Sequence, residues 1–85
     1  MSQSQFFGSS DLETSTANQE LVPTDTQYGK FSFMNDTSCH IRINNSENIY
    51  IRPLQGVDFD KKDYRISSFI IVEANITFNY IAELN

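Results

Sequence analysis

An 85-residue chain with a net charge of −5, 39% hydrophobic residues and one cysteine has room for one small domain and cannot brace it with an internal disulfide. A Cys-rich secreted scaffold is thereby excluded, and the acidic balance disfavours direct nucleic-acid binding, which needs a concentrated basic face to neutralise phosphates. The longest apolar block, Phe69-Ile70-Ile71-Val72, is far shorter than the ~20 residues of a membrane-spanning helix, and no basic segment leads into it, so the expectation is a soluble protein without a membrane partner.

Charge and pattern both change near Tyr28-Gly29. Before that point the residues are Ser, Thr, Gln, Asn and acids, with Asp11, Glu13, Glu20 and Asp25 and no Lys or Arg. From Lys30 onward apolar and polar residues alternate, and all six basic residues face the remaining seven of the eleven acids. The division predicts a flexible polar arm over 1–28 and a β-domain over 29–85. A body of that size buries only about 60% of the surface its unfolded chain exposes, so self-association is expected.

The arm carries two apolar clusters, Phe6-Phe7 and Leu21-Val22-Pro23. Adjacent aromatics in a polar tail can each fill a pocket on a partner. Phe6, Phe7, Leu21 and Val22 are therefore candidate anchors, with packing of the Phe pair on the protein's own body weighed equally. Ser10-Asp11-Leu12-Glu13 has the form of a helix capping box, but the Thr and Ser residues that follow it are poor helix formers, which limits it to a single turn at most.

The body begins with Phe31 and Phe33 alternating with Ser32, and Asn35-Asp36-Thr37-Ser38 supplies turn chemistry. Cys39, Ile41 and Ile43 then face inward against His40 and Arg42. Asn44 to Asn48 reads as a hairpin loop, since Asn tolerates left-handed backbone. Ile49 and Ile51 point inward opposite Tyr50 and Arg52. Pro53 and Gly56 turn the chain into a strand with Val57 and Phe59 inward, and a charged loop at Asp60-Lys61-Lys62-Asp63 follows. Ile66 to Glu73 is apolar on both faces and is the expected central strand. Glu73-Ala74-Asn75 turns into a last inward row of Ile76, Phe78 and Tyr80. Six strands without a helix predict an all-β fold, a small antiparallel β-sandwich or partly open barrel with an extended N-terminal arm.

Chemistry is sparse in this pattern. Cys39-His40 holds the single Cys and the single His, but neighbours on a strand point to opposite faces and cannot meet one substrate or ion. Asp58, Asp60 and Asp63 miss the spacing of a calcium loop, and Glu73 and Glu83 show no spacing of a glycosidase pair. No catalytic set, cofactor or metal is expected. Tyr50, Tyr64, Phe78 and Tyr80 could line a carbohydrate platform, with Tyr50 the best candidate, although surface aromatics on strands more often serve an interface. Arg42, Tyr50 and Arg52 are the exposed contacts expected on the body.

The stretches Lys30-Phe31-Ser32-Phe33-Met34-Asn35-Asp36, Leu54-Gln55-Gly56 and Ser68-Phe69-Ile70-Ile71-Val72-Glu73-Ala74 resemble short virion-associated proteins of tailed bacteriophages that infect Gram-positive bacteria. The resemblance runs from Lys30 to Ala82 and contains no catalytic or ligand motif. It implies a non-enzymatic structural role in head, neck or tail, in capsid or tail particles assembled in the host cytoplasm, with copies of itself and other virion proteins as partners. The alternative expectation is a small adaptor that binds a carbohydrate or a host protein.

Overall fold

The computed structural model describes residues 6–60 and 65–84, and Lys61, Lys62, Asp63 and Tyr64 of the charged loop lie outside them, as does the side chain of Asp60. The described residues form nine strands: β1 (Phe6–Gly8), β2 (Glu13–Thr14), β3 (Gln19–Glu20), β4 (Tyr28–Asn35), β5 (Cys39–Ile43), β6 (Ile49–Ile51), β7 (Val57–Asp60), β8 (Phe69–Ile71) and β9 (Thr77–Leu84). They build two antiparallel sheets. In the first, β4 lies between β7 and β9, and the far edge of β9 takes both β1 and β2; in the second the order is β3-β8-β5-β6.

The expected sandwich is present, and a strand forms in each of the six expected stretches of the body, with β8 confined to Phe69–Ile71 of the expected 66–73 stretch. Phe31, Phe33 and Phe78 of the first sheet and Ile41, Ile51, Phe69 and Ile71 of the second are buried between the sheets. Phe69 joins the layers, its ring 4.6 Å from that of Phe31 and 5.0 Å from that of Phe33 in tilted contacts that suit the ring quadrupoles. Burying one such ring stabilises the fold by about 1.5–3 kcal/mol. As the doubly apolar sequence requires, β8 is an interior strand, held between β3 and β5.

Turns follow the chemistry of their residues. Asn44, Asn45 and Asn75 hold left-handed backbone at φ 49°, 66° and 67°. Asn35 is fully buried and ties the end of β4 to the 52–56 turn. Its Nδ2 donates to the carbonyls of Thr37 at 2.6 Å and Arg52 at 2.8 Å, and its Oδ1 accepts from Gly56 N at 3.0 Å. Gly56 itself sits at φ +63°, where a Cβ would lie 2.5 Å from the Phe33 carbonyl oxygen.

The N-terminal segment departs from the expected free arm. From Phe6 onward it is a strap folded onto its own domain. β1 and β2 extend the first sheet and β3 the second, so one stretch of chain closes the same side of both sheets. The strap crosses between sheets at Ser15, which is 3% exposed. Ser15 Oγ donates to the Glu73 carbonyl at 2.7 Å and accepts from Ile76 N at 3.0 Å, while its backbone N–H reaches the Ile76 carbonyl at 2.9 Å. Strand edges carry unpaired amides and carbonyls, and polar residues can satisfy them through their backbone alone. That is why a segment without hydrophobic pattern is still ordered here. The expected boundary at Tyr28-Gly29 accordingly falls inside β4, and no helical turn forms at Ser10 to Glu13, where β2 begins.

Candidate functional site

Exposed groups stand on both outer faces of the sandwich, and Leu12 and Leu54 are exposed in the connections. On the second sheet, alternation along β5 turns His40 and Arg42 outward, and antiparallel register sets Tyr50 of β6 opposite His40. The two rings meet edge to face, 5.5 Å apart. Glu73, in the turn after β8, reaches back to the same place: its Oε1 accepts from His40 N at 2.7 Å, and its Oε2 lies 2.5 Å from His40 Nδ1.

Burial pushes the Glu73 carboxyl upward, but hydrogen bonds from the His40 backbone and ring and from its own N–H outweigh that and hold it below the ordinary glutamate value. The ionised carboxylate favours the tautomer with a proton on Nδ1 and fixes the ring plane. Cys39 lies on the opposite face, 2% exposed, and its thiol is pushed up to about 11 by burial and then by the Glu73 charge. The two neighbours therefore do not combine into a Cys-His couple. Among the described residues no group of three His, Cys, Asp or Glu side chains is placed to hold a metal ion.

Arg42, Tyr50 and Arg52 share this outer face, as their common parity on paired strands requires. Arg42 Nε donates to the Ser46 carbonyl at 3.1 Å, so its stem is tied to the hairpin loop. Tyr50 is 55% exposed and, with Arg52, Pro53 and Gln55, lines an open groove of about 520 Å³.

The outer face of the first sheet is more apolar. Phe6 pairs with Glu83, and Gly8 with Ile81, so Phe6 and Ile81 stand on one surface, 63% and 52% exposed. Met34 joins them from β4, where it pairs with Asn79. A shallow groove of about 200 Å³ beside Phe6 and Ile81 is edged by Lys30, Ser32, Asp58 and Glu83, with Lys30 Nζ 3.8 Å from Glu83 Oε1. Large apolar residues at outward positions of otherwise alternating strands are the sequence signal for Met34 and Ile81. The pairing of His40 with Glu73 had no such signal, because it depends on the register of β5 against β8.

Several expected contacts belong to the protein's own interior. Leu21 and Val22 are 7% and 4% exposed and form part of the core, so they are not anchors for a partner. The strap brings them there: Leu21 N donates to the Phe69 carbonyl at 2.9 Å, placing both side chains at the end of the sandwich. The Phe pair divides by alternation. Phe7 turns toward Tyr28, their rings 6.1 Å apart, and Phe6 faces outward. Of the proposed carbohydrate platform, Tyr64 lies outside the described residues, Phe78 is buried, Tyr80 is half-buried against the core, and Tyr50 is an open ring.

No family model, curated protein or solved structure matches this chain.

Proposed function

We propose that this protein is a non-enzymatic structural component of a phage particle, held between copies of itself or other virion proteins through the two outer faces of its sandwich. The observation that carries the reading is that each outer face bears large exposed side chains. Phe6, Met34 and Ile81 stand on one, and Tyr50 with Arg42 and Arg52 on the other. Aromatic residues, Met and Arg are the types enriched where protein surfaces meet, and two such faces suit a subunit with neighbours on both sides. The resemblance of residues 30–82 to short virion-associated proteins supplies the kind of assembly.

The test replaces one residue on each face, Ile81→Lys and Tyr50→Ala, and follows incorporation into particles beside circular dichroism of the isolated variants. Both variants fold and both are under-incorporated if the reading holds. Normal incorporation of both would overturn it. The exposed Tyr50 ring beside its open groove also supports the adaptor reading, in which Tyr50→Ala abolishes glycan or host-protein binding and leaves assembly intact.

A further inference from the structure

We propose that β1 is an exchangeable strand, and that the edge of β9 at Ile81 to Glu83 receives the Phe6-Phe7-Gly8 segment of a second copy of this chain. The inference rests on the assembly reading above and names the contact through which copies join.

What holds β1 in place is almost entirely backbone. All three of its residues are exposed, and the segment is fixed by its ladder to β9 and by Ser9, whose N–H donates to the Tyr80 carbonyl at 3.1 Å and whose Oγ accepts from Tyr80 N at 3.1 Å. Segments with few buried apolar contacts are the first to open. The strap behind β1 has slack: Gly8 pairs with Ile81 and Glu13 with Phe78, so five residues of strap span three of β9. The extra length gives the latch room to swing without disturbing the Ser15 anchor.

The seat is nevertheless specific. A Cβ at position 8 would lie 2.4 Å from the Tyr80 carbonyl oxygen and 3.2 Å from Ile81 Cα, so the strand lying there needs glycine opposite Ile81. One residue earlier, Phe7 lies against Tyr28. When β1 leaves, the β9 edge at Ile81 to Glu83 is uncovered while β2 stays on Thr77 and Phe78, and a bare edge of that kind recruits another strand. The segment that satisfies both requirements is the same Phe-Gly pair from another copy. Reciprocal exchange restores every contact, so its cost is small. In solution the tether favours closure within one chain, whereas copies held side by side in an assembly reach a comparable local concentration.

Exchange is tested by trapping across the Phe6 and Glu83 pair, whose Cβ atoms in an antiparallel register lie about 4.5–5.5 Å apart, close enough for a disulfide after small adjustment. Full-length chains carrying Phe6→Cys or Glu83→Cys alone, with the buried Cys39 left in place, are mixed at high concentration, equilibrated and mildly oxidised. The expected product is a covalent dimer joined between positions 6 and 83 by peptide mapping, several times more abundant than in either chain alone, and lost when Gly8→Val is added to the first chain. A chain carrying both substitutions closes within itself at low concentration. Closure of that double variant with no mixed dimer would overturn exchange, and failure of the double variant to close would overturn the seat itself. Light scattering on the unmodified protein separates the two readings: a mass above the monomer with no mixed dimer removes strand exchange and leaves assembly standing.

Discussion

The two ends of the strap are held by different physics. At Phe6 to Gly8 the side chains are exposed and the backbone makes the attachment; at Leu21 and Val22 the side chains lie in the core beneath a short stretch of pairing. Ser15 stands between these extremes as a buried hydroxyl that both donates and accepts. The difference teaches that an ordered segment need not be a uniformly stable one. Ladder bonds at an edge exchange easily with water, whereas buried side chains open only with the core.

Substitutions along the strap measure that gradient. Leu21→Ala removes buried methyl groups and should cost about 2–4 kcal/mol by urea denaturation, while Phe6→Ala, on an exposed side chain, stays within about 0.5 kcal/mol. Equal losses at the two positions would erase the distinction. Ser15→Ala leaves the Ile76 N–H without its side-chain acceptor and the Glu73 carbonyl without its donor. Its expected cost is about 1–3 kcal/mol, with faster amide exchange in the strap than in β4 or β5.

A smaller effect than that of Ser15 is expected in the turn beneath it. Glu73→Gln weakens its hold on His40 and should cost about 1 kcal/mol at neutral pH, a modest figure because both side chains are partly exposed. The Glu73 carboxyl is held below its ordinary value of 4.5 in the folded protein. Its contribution is therefore fully present above that pH and is lost as pH falls through the depressed folded value. A denaturation series from neutral to acid should show the wild type and Glu73→Gln converging at the acid end. Parallel curves throughout would remove the His40 contact as the cause.

Much of the body was legible because β-strands write their burial into alternate residues. Phe31 and Phe33, Cys39 and Ile41, and Phe78 each read inward and are inward. Ile49 is the exception, 41% exposed although its parity is inward, because β6 is an edge strand and the sheet does not cover its end. The strap was not legible. Strands of two or three residues are too short to show a period, and side chains that stay in water leave no hydrophobic record of backbone pairing. Leu21 and Val22 were visible as an apolar cluster, but composition alone could not tell a partner's pocket from the protein's own. The outer contacts divided similarly: shared parity gathered Arg42, Tyr50 and Arg52, while the meeting of His40 with Glu73 required knowing which strands are neighbours.

The strap's partners also set an order of events during synthesis. Ser15 bonds to residues 58 and 61 positions later, and Ser9 to one 71 positions later. At typical translation rates of ~5–20 residues per second, the strap waits roughly 3–14 s before β9 exists to receive it. Contacts of such long sequence separation form late and slow folding. A hydrophobic strap would spend that interval as an aggregation hazard on the ribosome. The Ser, Thr, Asn and acidic residues that make up most of it give it a benign nascent state, in which the chain can remain hydrated until β9 emerges.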